Sequence, residues 1–175
     1  MADRGLTGVL LVGGASRRFG SPKALAVYDG ETLAVRAWRV LGEACDERIA
    51  VGKIADGLPL PFRLLDDGVE VRAPIAGVVA GLRAAAHDVC VVLPVDCPRV
   101  LPQTLRRLGR ERAVVQSGPL PGAYTREMLP ELERRLAAGE LSLRGLSARV
   151  VDVDERELRD VDIPGDLRDE LLDRT

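Results

Sequence analysis

Short apolar runs alternate with stretches of helical period along this chain. Residues 8–12, 48–51, 62–65, 89–95, 113–116 and 149–153 read as strands. Residues 33–44 carry apolar side chains at Leu33, Val35, Ala37, Trp38, Val40 and Leu41, the spacing of a helix with one buried face, and Trp38 is expected in the core. Residues 75–86 consist mainly of Ala, Val, Gly and Leu, which predicts a helix buried on much of its surface. His87 is expected at the solvated end of that helix, with no catalytic role. Residues 101–109 and 125–138 read as further helices, the second stopped by Gly139. A last helix is expected over 164–173, because Pro164 suits a first helical position. The run from Val89 to Val95 is continuously apolar, as a central parallel strand covered on both faces must be. The alternation predicts an α/β fold, a three-layer sandwich around a mostly parallel, Rossmann-like sheet. In such sheets ligands bind outside the carboxyl ends of the strands.

Composition narrows the picture. The chain has 175 residues, enough for one domain with a sizeable core, and we expect residues 1–175 to form it. Net charge is −2 and no basic face is evident, which points away from nucleic acid and from membrane surfaces as partners. Cys45, Cys90 and Cys97 are odd in number and match no zinc spacing, so they read as small buried residues in a reducing compartment. There is no apolar run of about 18 residues and no signal-type apolar segment near Met1, so a cytoplasmic location is expected.

The chemistry concentrates after the first strand, in Gly13-Gly14-Ala15-Ser16-Arg17-Arg18-Phe19-Gly20-Ser21-Pro22-Lys23. Gly13 and Gly14 let successive backbone N–H groups converge on an anion, and Arg17, Arg18 and Lys23 add positive charge. Backbone donors plus cations suit a triphosphate. The ATPase loop G-x-x-x-x-G-K-(S/T) does not fit, since Ser21 and Pro22 precede Lys23 and Ala24 follows it. The dinucleotide pattern G-x-G-x-x-G fails because Gly13 and Gly14 are adjacent. Asp96, between Pro94 and Pro98 at the end of the central strand, is the best candidate metal ligand, for a hard cation such as magnesium. Asp66 and Asp67 end the third strand, with Asp67 directly before the turn residue Gly68.

The loop follows the pattern G-G-x-S-x-R-(M/F)-G-x-x-K and resembles the signature of nucleotidyltransferases of the molybdenum cofactor guanylyltransferase type. Other segments carry the same resemblance from Gly8 to about Leu167. Asp96-Cys97-Pro98 is similar to the family's D-x-P metal motif. Ala73-Pro74-Ile75-Ala76-Gly77 is similar to its G-P-L-A-G turn, with Ala73 in place of the first glycine. Residues 118–124 resemble a strand on the acceptor side of the cleft, with Gly118 where histidine is common. The turn 141–144 sits at a basic turn of the family, and Asp160-Val161-Asp162-Ile163-Pro164 resembles its N-x-N-T-P box with both asparagines replaced by aspartate.

The resemblance implies a fold of the nucleotide-diphospho-sugar transferase type and transfer of GMP from GTP to the phosphate of molybdopterin, with loss of pyrophosphate. It implies a nucleotide site made by Leu11, Val12, Gly13, Gly14, Ala15, Ser16, Arg17, Lys23, Asp67, Gly77 and Asp96. Within it Asp67 or Asp66 would recognise guanine, with Asp67 favoured. Asp96 with Asp162 would hold Mg2+, and Arg17 and Lys23 would neutralise the leaving pyrophosphate. It also implies transient contact with molybdoenzymes or other cofactor-biosynthesis proteins. The aspartate-rich last box leaves a CTP-dependent cytidylyltransferase open, and other phosphorylated acceptors suit the same chemistry. A nucleotide-binding regulator without catalysis could dispense with Asp96 and Lys23, and both are present.

Overall fold

The structure is a computed structural model that describes residues 5–13, 21–147, 149–161 and 165. The chain runs β1 (Leu6–Leu11), β2 (Val27–Tyr28), β3 (Glu31–Thr32), α1 (Leu33–Ala44), β4 (Glu47–Gly52), β5 (Leu64–Asp66), α2 (Pro74–Ala84) and β6 (Val89–Pro94). It continues through α3 (Pro102–Glu111), β7 (Val114–Val115), β8 (Gly122–Thr125), α4 (Leu129–Ala138) and β9 (Val150–Val151). The main sheet has 7 strands in the order β5-β4-β1-β6-β8-β7-β9. β5, β4, β1 and β6 are mutually parallel, so their carboxyl ends share one edge. β8 runs antiparallel to both β6 and β7, and β9 returns parallel to β7.

Alternate side chains of the central strands point to opposite faces, as strand geometry requires. Leu10 and Leu93 face Leu33, Leu41, Leu105 and Leu108 of α1 and α3. Val9, Leu11 and Val92 face Ile75, Val79 and Leu82 of α2 and Leu132 of α4. These two cores are the outer interfaces of the three-layer sandwich. Among the described residues no helix is long and apolar enough to cross a membrane.

Helix α1 starts where the Thr32 hydroxyl accepts from Val35 N at 3.3 Å, an N-cap that satisfies one of the free donors of the first turn. Helix α2 starts at Pro74, and its N-cap Ala73 has φ −143° and ψ 147°. That extended conformation suits any residue, so alanine in place of the family's glycine carries no backbone strain. Helix α2 comes close to the sheet at Gly77 and Gly81, where an added Cβ would meet Leu11 Cδ2 at 2.5 Å and Val9 Cγ1 at 2.7 Å.

Several expectations need correction. The helix expected over 125–138 is β8 up to Thr125, a single 3-10 turn over Arg126–Met128, and α4 only from Leu129. Pro130 explains this: deep inside a longer helix it would lack its N–H donor and clash with the carbonyl four residues back. At the far end Gly139 caps α4 with φ 74°, as expected. A hairpin of β2 and β3 was not anticipated, although Asp29-Gly30 with φ 50° and 82° is a turn signal for one. Trp38 is not in the core interior. It is half-buried, its ring stacked on Phe62 with centroids 4.4 Å apart and the Arg48 guanidinium 4.4 Å from its ring centroid. His87 lies in the turn beyond α2, with its ring against Gly5. Apart from Gly165, the helix expected over 164–173 lies outside the described residues.

Candidate active site

The parallel strands deliver the chemistry to one edge. Gly13 follows β1, Lys53 follows β4, Asp67 follows β5 and Asp96 follows β6. Backbone bonds lock the strand ends together: Val12 N donates to Val51 O at 3.0 Å, Asp67 N to Gly52 O at 3.1 Å, and Val95 N to Leu11 O at 3.1 Å. Two cavities open there, sharing Leu11, Gly13 and Pro74 as their common wall.

The first cavity, about 220 Å³, lies between the ends of β1, β4 and β5 and the start of α2. Leu11, Val51, Ala73, Pro74 and Gly77 supply its apolar lining, and Lys53, Asp67 and Arg72 its polar groups. Asp67 Oδ1 accepts from Lys53 Nζ at 2.6 Å and from Val69 N at 3.1 Å. Lys53 Nζ also donates to Val69 O. The pair is well enclosed, with side-chain exposures of 11% and 8%. Asp66 does a different job. Its carboxylate accepts from Ile54 N and Gly68 N, each at 2.8 Å, and shapes the exposed turn. Those two N–H donors hold the Asp66 carboxyl below its ordinary range. Asp67, and not Asp66, therefore lines the cavity. Arg72 is drawn to the rim by Asp56, at 2.7 and 2.9 Å.

The second cavity, about 380 Å³, lies on the other side of the β1 end. Asp96 enters it from the loop after β6, and Lys23 from a 3-10 turn, with Nζ 3.6 Å from Asp96 Oδ2. The Asp96 carbonyl accepts from Val161 N at 2.9 Å, which brings the late segment back to this edge. Asp160 arrives with it. Cys97 Sγ donates to Asp160 Oδ1 at 3.1 Å and lies 3.7 Å from Asp96 Oδ1. Ligand atoms of Asp96, Cys97 and Asp160 fall within 4.8 Å of one another. Burial, and then the two carboxylates, push the Cys97 thiol far above its usual range, so it stays protonated as a donor. The carboxylate oxygens of Asp96 and Asp160 are hard donors of the kind a divalent cation such as magnesium takes.

Lys23, Leu11, Val12, Gly13 and Asp96 thus meet at the second cavity, and Asp67 and Gly77 at the first. Gly14, Ala15, Ser16 and Arg17 lie outside the described residues, as does Asp162. Two residues escaped the sequence reading. Asp160 belongs to the same box as Asp162 but was passed over as the first of its two acids. Lys53 belongs to no motif, and its one signal is its position just past a strand end on the ligand-binding edge. The acceptor-side segment splits: Leu120 reaches the second cavity, whereas Gly118 and Pro119 line a separate hollow of about 200 Å³ with Leu143 and Arg144. Tyr124 is wholly buried and anchors the segment by donating to Pro119 O at 2.8 Å.

Residues 8–153 match the family of the MobA-like NTP transferase domain. A molybdenum cofactor guanylyltransferase from Desulfosudis oleivorans is 30% identical over 171 residues, covering 90% of this chain and 85% of that protein. Another, from Pseudomonas putida, is 35% identical over 150 residues, 78% of each chain. Among solved structures, the molybdopterin-guanine dinucleotide biosynthesis protein A of Archaeoglobus fulgidus has a TM-score of 0.79 at 23% identity, over 97% of this chain and 100% of that one. The 2-C-methyl-D-erythritol 4-phosphate cytidylyltransferase of Thermus thermophilus has a TM-score of 0.67 at 17% identity, over 100% of both chains. At those identities the two structures speak for a shared fold.

Proposed function

The chain belongs to the MobA-like NTP transferase family, and from that premise we propose that it transfers GMP from GTP to the phosphate of molybdopterin. The observation that carries this reading is the pair of cavities on one strand edge. One is walled by apolar groups at the start of α2 and takes a base. The other gathers Lys23, Asp96 and Asp160 beside Gly13 and takes the phosphates.

In the reaction an oxygen of the acceptor phosphate forms a bond to the α-phosphorus, and the bond from that phosphorus to the bridging oxygen of pyrophosphate breaks. The nucleophile is already ionised, so no strong base is needed. Positioning and charge stabilisation do most of the work. Lys23 neutralises charge growing on the phosphates, with Arg17 and the backbone of Gly13, Gly14, Ala15 and Ser16 as its sequence-derived companions. Asp96 and Asp160 would hold the magnesium ion, with Asp162 as the further acid of the same box. When bound, that ion supplies positive charge shared between phosphate oxygens. Cys97 keeps Asp160 aligned through its thiol hydrogen bond.

The test is pyrophosphate release from GTP, CTP, ATP and UTP, with and without magnesium and with and without molybdate-loaded molybdopterin. Release that needs GTP, magnesium and the pterin together is expected. Release with CTP in place of GTP would make the protein a cytidylyltransferase with the same mechanism. No release with any nucleotide would overturn the molybdopterin assignment.

A further inference from the structure

A cavity of about 570 Å³ lies at the amino ends of β1 and β6, on the edge of the sheet opposite Lys23 and Asp96. Leu6 and Val89, the first residues of those strands, line it on its apolar side together with Gly109 of α3. Arg106, Arg110 and Arg112 also line it, against Asp46 as its one acid. The chain as a whole has a net charge of −2, yet this cavity is basic. Helix packing does not ask for that concentration of charge. Arg106 and Arg110 stand four residues apart on α3, where like charges repel across one turn. Their neighbour Arg107 meets Glu111 at 2.9 Å in the ordinary way. Arg106 Nη1 donates to Glu43 O at 2.6 Å, but the side chains of Arg110 and Arg112 have no hydrogen-bond or ion-pair partner among the described residues. One cation in the last turn suits the dipole of α3, and Arg110 fills that role alone. The last carbonyls of α3 are capped by the main chain, with Arg112 N on Gly109 O at 3.3 Å and Ala113 N on Leu108 O at 3.0 Å. Arg112 makes its bond from the left-handed conformation, φ 51° and ψ 49°, where glycine is the usual residue. Capping therefore does not account for an arginine at that position.

We propose that this far-edge cavity binds a phosphate group, free or carried by a small organic molecule, through Arg106, Arg110 and Arg112. A guanidinium fork matches two phosphate oxygens at once, and hydrogen bonds between two charged groups are the strong ones. A bound phosphate also relieves the repulsion between Arg106 and Arg110. Asp46 suits a ligand that carries a hydroxyl as well. Its Oδ2 accepts from Leu6 N at 2.9 Å, and its Oδ1 has no bond among the described residues and can accept from the ligand. The volume falls in the range of small-molecule sites and exceeds what inorganic phosphate alone would fill. The site shares no residue with the cavities beside Gly13, so it does not depend on the nucleotidyltransferase reading.

Chemical-shift mapping on the nitrogen-labelled full chain tests this, because it reports the two edges of the sheet separately. The probes are ribose 5-phosphate, inorganic phosphate and, at the same ionic strength, potassium chloride. Saturable shifts are expected at the amides of Leu6, Val89 and Gly109, with a Kd of about 1 mM or below for a phosphate probe. Tighter binding of ribose 5-phosphate makes the ligand a phosphate ester, and equal binding makes it free phosphate. Arg110→Gln should weaken that binding by about 10-fold or more, while any shifts caused at Gly13 and Lys23 stay as in the wild type. Arg112→Gly should weaken it as well, yet raise the thermal unfolding midpoint in phosphate-free buffer, because glycine suits the left-handed position. A purely structural arginine would not give those opposite signs. Far-edge shifts that do not saturate with either phosphate probe, that chloride reproduces, or that keep full affinity in both variants overturn the proposal.

Discussion

In the proposed reaction Asp96 is the residue on which the chemistry turns. It stands just past a strand buried from Val89 to Leu93, between Pro94 and Pro98, with its backbone carbonyl engaged by Val161 N. A carboxylate this well placed costs little to orient when substrate binds. Asp96→Asn keeps the shape and removes the charge. Turnover should fall on the order of 100-fold or more, while the circular dichroism spectrum and unfolding midpoint stay near wild type. Activity within a few-fold of wild type would remove Asp96 from the mechanism. Asp96 was legible in the sequence because a long apolar run announces its strand and the prolines announce a rigid end. Asp160 was not, because its approach depends on the hydrogen bond between Val161 and Asp96, a pairing that no local pattern encodes. Asp66 and Asp67 could not be ranked by spacing alone. The turn decides between them by giving Asp66 two backbone N–H donors of its own and Asp67 a lysine.

At the scale of elements, legibility followed the strength of the local signal. Helix α1 appears over the expected residues because its apolar period and its Thr32 cap agree. The short strands β7 and β9 are narrower than expected, because only two residues of each pair in register. Helix α4 begins late because Pro130 cannot sit deep inside it. Helix α2 has a feature that composition shows only as abundance of small residues: it rests on β1 through Gly77 and Gly81. Gly77 also lines the first cavity, the one proposed to take the base, together with Leu11. Gly77→Ala would place a methyl group 2.5 Å from Leu11 Cδ2, so that Leu11 must shift into the cavity or α2 must move outward. Either adjustment costs about 1–3 kcal/mol as overpacking. We expect that loss in urea denaturation, accompanied by a raised KM for the nucleotide. An unchanged KM would mean that Leu11 moves without narrowing the cavity.

Over the whole molecule, catalysis requires segments distant in sequence to hold one geometry. The parallel half of the sheet supplies strand ends, but Lys23 comes from a turn ahead of the β2–β3 hairpin and Asp96 from the loop after β6. Arg36, on α1, spans these parts. Its Nε donates to Pro98 O at 2.6 Å, its guanidinium lies 5.0 Å from the Tyr28 ring centroid in the hairpin, and Nη1 is 3.8 Å from Glu31 Oε2. Arg99, next in the loop, also approaches Tyr28, at 5.7 Å. The hairpin and the Asp96 loop are thereby tied to one helix, and a shift of the loop by a fraction of an ångström would be felt where the phosphates react. Arg36→Ala should therefore lower kcat by about 10-fold or more while leaving the Kd for GTP within a few-fold, because the cavity proposed to take the base lies on the far side of the β1 end. Arg36→Lys should recover little, since the ammonium cannot reproduce a planar group that donates to a carbonyl and lies over a ring at once. Titration calorimetry with GTP and steady-state kinetics on the same preparations check the split. If GTP affinity and kcat fall together, Arg36 supports the fold at large and not the alignment of Asp96 with Lys23.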